Sequence, residues 1–502
     1  MRSVGGIIGE ISSSQSGTNI LIDNCSNGQR IYNNGGQSNN EYVGGLAGYI
    51  TTKGLTISNS NNEGKLDKMY ASNVGGLVGR VDSRNLTVDN SYNTGDIVCN
   101  PSGFSDLSTH GYSHYGFNPT FAQVGGLFGK INDPFTITNT YNTGNISGPY
   151  YITGGIVGFA YGTTSTIENS YNTGNITGAY QTGGLAGYYN DIINKSYNTG
   201  DIVIFSGHYV GGLIGFGQGK IYESYNTGNI AARTYSGEYV GGLCSSDCQY
   251  IQNSYNRGNI EIKYDNWSYV GGISGRSGVL KNVYNTGNIV FLDNKYANFG
   301  SYGVVHVGGI DGDEASSVQN GYNLGNITLT QNSNQSAKTY ELSGISTVNS
   351  YGLQEISNSV NTGNITFIVK YPNLTTNNRI DISGISVRSG NVINSFNSGI
   401  LTIDDSNLTT SLDDAGLGSI KYIGEIQSGY NANSTGNKFK NQSGKALGCY
   451  GIDSSCTLEQ NNATGSYTTE NVPSILSIIN GDNKFNTELD EDGLPTLKAF
   501  ND

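Results

Sequence analysis

Two short motifs alternate along this chain, and their spacing constrains the fold more than any other feature. The first is bracketed by glycines, VGGLxG, and starts at Val43, Val74, Val124, Thr153, Thr182, Val210, Val240, Val270 and Val307. The second, SYNTGNI, has its tyrosine at 92, 141, 171, 197, 225, 255, 284 and 322. Successive tyrosines lie 49, 30, 26, 28, 30, 29 and 38 residues apart, so a unit of nearly 30 residues is the basic period and longer spacings mark insertions. A unit of that length cannot bury a core alone, but a stack of units can, with equivalent residues aligned in ladders along an axis. The 502 residues therefore read as stacked coils rather than as a number of globular domains.

Within a unit the pattern is one of short strands and turns. In Ile167-Glu168-Asn169-Ser170-Tyr171, strand alternation puts Ile, Asn and Tyr on one face. Thr173-Gly174 then turns the chain, a place where glycine offers a positive φ, and the next strand opens at Asn175-Ile176. Recurrent glycines and β-branched residues exclude a sustained helical stripe. Comparison of the internal copies assigns Leu46, Leu77, Leu127, Ile156, Leu185, Leu213, Leu243, Ile273 and Ile310 to the core. The residue after each, variously Ala, Val, Phe, Ile, Cys, Ser or Asp, reads as a position that tolerates solvent. The tyrosine column becomes Val360 and Phe396 in late units, which keeps apolar volume and marks a packing ladder rather than a sugar-binding strip. Asparagines at 142, 172, 198, 226, 256 and 285 predict stacked amides.

The predicted fold is all-β: a right-handed parallel β-helix (β-solenoid) over residues 1–430, one coil per repeat, followed by a non-repeating C-terminal capping region, 431–502. Within the latter, Pro473-Ser474-Ile475-Leu476-Ser477-Ile478-Ile479-Asn480-Gly481 predicts one or two helical turns closed by glycine, placed to cover the last open coil. The first coil has no comparable cover, which predicts further coils upstream or end-to-end self-association.

Composition removes several classes. The 74 glycines follow no three-residue period and prolines number only 7, which excludes collagen, while 36 tyrosines and 15 phenylalanines exclude a disordered chain. A net charge of −13 and no Lys/Arg-rich stripe argue against a nucleic-acid partner. No run of about 18 apolar residues is present, so no helical membrane span is expected. The start, MRSVGGIIGEISSSQSG, lacks a secretory signal and opens in the middle of a repeat; the expectation is a start further upstream or a different export signal.

Val124-Gly125-Gly126-Leu127-Phe128-Gly129 followed by SYNTGNI resembles the GLUG repeat of bacterial surface proteins, over roughly residues 1–400. That family occurs in large adhesin-like proteins and in the non-catalytic part of some IgA-specific metallopeptidases. The tail Asp492-Gly493-Leu494-Pro495-Thr496-Leu497 is similar to the ending that often follows such repeats. The resemblance implies a β-solenoid on a bacterial cell surface with no catalytic residues in this segment. The late copies depart from it: Leu342-Ser343-Gly344-Ile345 and Ile382-Ser383-Gly384-Ile385 lose the first glycine.

Residues that could carry chemistry are few. Asp311, Asp313 and Glu314, then Asp404 and Asp405, then Asp413 and Asp414 are the clustered acids, but they fall in different coils and neighbours on a strand point to opposite faces, so they read as solvated loop acids rather than a glycosidase pair. No HExxH occurs. His110 and His114, with Asp106, sit in an insertion and give weak grounds for a metal. Glu488-x-Asp490-x-Asp492-Gly493 matches half of a calcium loop but has Ala499 at the twelfth position, so an acidic turn is expected. Cys244 and Cys248 form a lone CxxxC without the second pair of a zinc site. Cys449 and Cys456 are the disulfide candidates, and Cys25 and Cys99 read as small apolar residues. Sequons at Asn145, Asn175, Asn326 and Asn364 follow from the repeat itself. No catalytic residue, metal ligand or cofactor is assigned.

The functional expectation is a non-enzymatic cell-surface or secreted protein, an adhesin or stalk that presents inserted loops to a host or matrix glycan or protein. The insertions are residues 99–122, 291–306 and 331–341, and Tyr112, Tyr115, Phe117 and Phe121 give the first an aromatic character suited to ligand binding. The alternatives are a carbohydrate-active β-helix, lyase or hydrolase, and a purely structural spacer or viral fibre segment.

Overall fold

The computed structural model describes residues 2–13, 19–32, 41–69, 71–99, 123–148, 152–205, 207–233, 238–264, 268–293, 303–313, 315–332, 338–347, 355–370, 379–387, 391–393, 395–397, 399–404, 419–422, 429–431, 438–439 and 474–500. They fall into two compact units, Met1–Ala232 and Arg233–Asp502. Each is a parallel β-solenoid with one coil per repeat.

One coil of the first unit shows the construction. Ile152–Gly154 lies in a first sheet; Val157–Ala160, Thr166–Glu168 and Tyr171–Asn172 lie in a second; Ile176–Gly178 lies in a third, and Gln181–Gly183 then opens the next coil. Strands pair in parallel with their equivalents one coil away, so that Val124, Thr153, Thr182 and Val210 form one column. In the second unit the same column reads Val240, Val270, Val307, Leu342 and Ile382. The inward residues Leu127, Ile137, Ile156, Ile167 and Ile176 are fully buried. Each contributes about 1.5–3 kcal/mol of apolar burial.

Two features differ from the sequence pattern. The residue after the core leucine is buried as well: Ala47, Val78, Phe128, Val157, Ala186, Ile214, Cys244, Ser274 and Asp311 are all closed to solvent. The bracket bends the chain between the first and second sheets, and consecutive side chains on either side of the bend both turn inward. Tyr171, moreover, does not share a face with Ile167. Asn24, Asn59, Asn90, Asn139 and Asn169, and Asn253, Asn282, Asn320 and Asn358 in the second unit, take φ between 46° and 57°. This left-handed residue resets the alternation, so that Ser170 and Asn172 point inward and Tyr171 outward. Lys195 and Glu223 hold the same conformation without asparagine's tolerance for it.

The serine secures this kink. Ser170 Oγ donates to the Glu168 carbonyl at 2.7 Å and accepts the Thr140 N–H of the preceding coil at 3.2 Å. Gly174, expected to supply a positive φ, does not; a Cβ there would lie 2.1 Å from the Gly144 carbonyl oxygen. The turn glycines serve close approach between coils.

The amide ladder is present in both units. Asn142 Nδ2 donates to Asn172 Oδ1 at 2.7 Å, Asn172 to Asn198 at 2.7 Å and Asn198 to Asn226 at 2.8 Å, with Asn27, Asn62 and Asn93 continuing the row. In the second unit Asn256, Asn285, Asn323, Asn361 and Asn397 repeat it. Each Nδ2 also closes its own turn on a backbone carbonyl, that of Gln29 for Asn27 and of a glycine for Asn172, which reaches Gly174 at 2.8 Å. Buried amides without such partners would be costly.

The C-terminal segment forms a helix, Ile475–Ile479, capped by the Ser474 side chain on the Ser477 N–H, a 3-10 turn, Asn480–Asp482, and a hairpin of Phe485–Leu489 with Pro495–Leu497. The left-handed residue that ends the helical part is Asn483 rather than Gly481. Residues 474–500 lie along the side of the second unit, against Cys248–Asn256, Ser277–Asn285 and Ser317–Asn323. At the first coil, Val4 and Ile7 are 37% and 48% exposed where their equivalents Val43 and Leu46 are buried. No helix among the described residues is long and apolar enough to cross a membrane.

Candidate functional site

Length variation concentrates at one corner of the coil. In the second unit the adjacent third-sheet strands Ile289–Asp293, Ile327–Gln331, Ile365–Val369 and Leu401–Asp404 hand over to the adjacent first-sheet strands Gly303–Gly308, Lys338–Ser343, Arg379–Ser383 and Ser419–Tyr422. The insertions at 291–306 and 331–341 leave from this corner, and so do two that sequence reading did not single out, 370–378 and 405–418. In the first unit residues 100–122 join Ile97–Cys99 to Gln123–Gly125 at the equivalent corner. Tyr112, Tyr115, Phe117 and Phe121 lie outside the described residues, as do His110, His114 and Asp106. The turn from second to third sheet keeps its Asn-Thr-Gly-Asn length, because the amide ladder closes it.

A second variable surface flanks the glycine bracket. The residue before it and the residue after it meet outside the bend: Tyr42 and Tyr49 ring centroids are 5.1 Å apart, those of Tyr209 and Phe216 4.4 Å. Along the coils Phe159 stacks on Tyr188 at 4.7 Å and Lys130 Nζ sits 5.0 Å from the Phe159 ring. Arg80 lies over Tyr42 and Tyr49 and pairs with Asp82 at 3.0 Å. Burial, and then the Arg80 charge, lower the Lys130 ammonium below its ordinary value. Internal variation beside a recurrent bracket is the sequence signal that marks these positions.

The same pair of positions in the second unit holds His306 and Asp313. Their Nδ1 and Oδ1 atoms are 3.4 Å apart, and Glu341 Oε2 faces the other nitrogen at 3.2 Å, all three side chains being buried. Asp311, two residues before Asp313, points inward and accepts from the Ala315 N–H at 3.0 Å and Ser346 Oγ at 3.1 Å. Burial raises its carboxyl well above the usual range. Neither Asp311 nor Asp313 is therefore a solvated loop acid, and the coil wall separates them. Glu314, Asp405, Asp413 and Asp414 lie outside the described residues. The two carboxylates at His306 approach opposite ring nitrogens, so one ion cannot reach all three groups. Among the described residues no group of three or more His, Cys, Asp or Glu is arranged to hold a metal.

The tyrosines form a stack. Tyr92, Tyr141, Tyr171, Tyr197 and Tyr225 have successive centroids 4.9, 5.0, 4.9 and 4.8 Å apart and planes parallel within 4°. They are half-buried. Each inner ring has both faces covered by its neighbours, so the ladder shows solvent only edges and hydroxyls and offers a sugar no aromatic face.

In the second unit the equivalent Tyr255 and Tyr284 are covered by the C-terminal segment. Tyr284 Oη donates to the Pro495 carbonyl at 2.6 Å, Phe485 packs on its ring, and Arg257 pairs with Asp490. The Asp490 carboxylate also accepts the Leu494 and Asp492 N–H groups, the contacts of an acidic turn docked on the solenoid. Burial raises its proton affinity, but the Leu494 N–H and Arg257 outweigh this and hold it below the ordinary value. A lowered carboxyl stabilises the docked state above its unfolded value and loses that contribution as pH falls through the folded one. Acidification below about pH 4 is therefore expected to release residues 474–500 to protease, and Arg257→Ala to release them at pH 7. Equal cleavage rates for the variant and the parent at pH 7 would overturn this assignment.

Cys244 and Cys248 form a disulfide within one coil, where sequence spacing alone suggested only an incomplete zinc pair. Cys449 and Cys456 lie outside the described residues, Cys99 is buried and free, and Cys25 is partly exposed and free. The sequon asparagines Asn145 and Asn175 are exposed and spend their amide oxygens on backbone N–H groups one coil on, at 3.0 and 2.9 Å.

The model of the GLUG motif matches residues 150–177, the stretch from the first-sheet strand Ile152–Gly154 into the third-sheet strand Ile176–Gly178. No curated protein and no solved structure matches the chain.

Proposed function

We propose that this GLUG-motif repeat protein is a non-enzymatic surface or secreted scaffold, an adhesin or stalk whose corner insertions contact a host or matrix glycan or protein. The observation that carries the reading is the placement of four insertions in the second unit between the same two sheets on successive coils. Parallel coils repeat at about 4.8 Å, so the bases of these insertions lie side by side along one edge. Rigid scaffolds that carry their longest insertions at one edge concentrate their contacts there. The Cys244–Cys248 disulfide supports an oxidising, extracellular location.

The test is binding of the chain to an array of glycans and matrix proteins, with hydrolysis read on the same spots. Deleting 101–119, or shortening the insertions at 294–302, 333–337, 371–378 and 405–418 together, is expected to weaken binding at least about tenfold while far-UV circular dichroism stays strand-like. Undiminished binding by both variants would sink the corner assignment. Product release would move the protein to the carbohydrate-active class.

A further inference from the structure

We propose that the ladder Tyr92, Tyr141, Tyr171, Tyr197 and Tyr225 is an oxidative cross-linking site, at which one-electron oxidants join tyrosines of neighbouring coils into dityrosine. The chemistry needs two phenols whose ring carbons beside the hydroxyl can meet, access for an oxidant, and a path for the proton. The stack supplies the first: the rings are 4.8 to 5.0 Å apart, and parallel register brings equivalent ring carbons of adjacent tyrosines over one another. Half-exposed edges supply the second.

The proton path is visible at one end. Tyr92 Oη donates to Glu63 Oε1 at 3.4 Å, so a carboxylate stands ready to take the phenolic proton as the electron leaves. Burial raises Tyr141 and Tyr171, which keeps those phenols protonated and makes a hydrogen-bonded base the more valuable at Tyr92. The Tyr92 radical is one stacking distance from Tyr141, and the same spacing recurs to Tyr225, so an electron vacancy can pass along the row.

Each of two neighbouring tyrosines loses one electron to the oxidant and one proton to Glu63 or water. The two radicals join through the ring carbons beside the hydroxyls, and each coupled carbon then passes its hydrogen to the phenolic oxygen, giving two phenols linked by a carbon–carbon bond. The protein loses two hydrogens per link, and no bond of the main chain changes. The geometry replaces a bimolecular encounter of radicals with one already arranged, the source of large effective concentrations in intramolecular reactions. Each link would join coils otherwise held by hydrogen bonds and packing, so oxidation would harden the solenoid rather than damage it.

The probe is tris(bipyridine)ruthenium(II) with persulfate and brief light, which generates a ruthenium(III) one-electron oxidant, applied to the intact chain at high dilution. The expected result is dityrosine fluorescence and, after digestion, linked peptide pairs 92/141, 141/171, 171/197 and 197/225, each lighter by two hydrogens, with yield per chain independent of protein concentration. Tyr171→Phe should abolish both links at 171 and preserve 92/141 and 197/225; phenylalanine already stands in this column at 396, so the coil tolerates it. Glu63→Gln should slow the appearance of the 92/141 link at least several-fold. Recovery of the ladder peptides unlinked while other tyrosines couple, links formed only between chains, or the same pair distribution in denaturant would each overturn the proposal.

Discussion

Gly155→Ala is expected to cost about 3 kcal/mol or more, at the upper end of what overpacking does, from the addition of one methyl group. Gly155 is the second glycine of a bracket and has no unusual φ, so the glycine is required for space. A Cβ would lie 2.0 Å from the Gly184 carbonyl oxygen and 2.5 Å from Asn172 Cγ. Neither neighbour can retreat cheaply. Gly184 belongs to the next bracket, whose N–H bonds to the Gly211 carbonyl, and Asn172 is fixed by its hydrogen bonds within the amide ladder. The two repeat motifs are thus one device: the bracket brings its backbone against the side chains that SYNTGNI stacks. Gly481→Ala is the internal control, since a Cβ there meets nothing within 4 Å, and its effect should stay within about 0.5 kcal/mol. The check is the chemical-denaturation midpoint of each variant; equal midpoints would show that the coils separate to admit the methyl group.

How much of this was legible depended on what kind of physics each residue obeys. The period, the parallel stacking and the amide ladder follow from repetition: a polar residue at the same place in every unit must meet its own copies. The kink at Asn169 was hidden because alternation counts residues and not conformations, and one left-handed residue reverses every assignment after it. The burial of Ala47 and its equivalents was hidden for a related reason, as variety in size there reflects a core that widens and narrows rather than contact with water. Asp311 shows how far that variety extends, since a buried carboxyl is accommodated where serine hydroxyls and a backbone N–H reach it. The His306, Asp313 and Glu341 contact and the aromatic row beside Phe159 needed the bend itself, because only a bend brings residues seven apart together outside the coil. The lateral docking of residues 474–500 depended on Arg257, the one place where SYNTGN becomes SYNRGN.

Asn172→Ala tests the ladder from the opposite side, by removing the side chain on which Gly155 rests. Asn172 is fully buried and takes part in three hydrogen bonds: it accepts from Asn142 Nδ2 and donates to Asn198 Oδ1 and to the Gly174 carbonyl. Alanine leaves a donor and two acceptors without partners in a region closed to water, and each orphaned group costs about 1–3 kcal/mol. Adjacent losses share a relaxation, so the sum is expected near 3–5 kcal/mol rather than at the upper limit. Glutamine should not restore it, because one additional methylene displaces the amide from both neighbours. Asn27→Ala, which orphans one ladder partner, Asn62 Oδ1, and otherwise gives up two part-buried bonds within its own turn, to the Gln29 carbonyl and from the Gln29 N–H, should cost roughly half as much, since water reaches that turn. Position in the row carries a further consequence. A solenoid draws its cooperativity from contacts between neighbouring coils, so a break at Asn172 divides the first unit's ladder and should lower the denaturant slope as well as the midpoint. Amide hydrogen exchange is then expected to quicken first between residues 142 and 198. Uniform quickening over the whole unit, with an unchanged slope, would mean that the core isoleucines and not the amides couple one coil to the next.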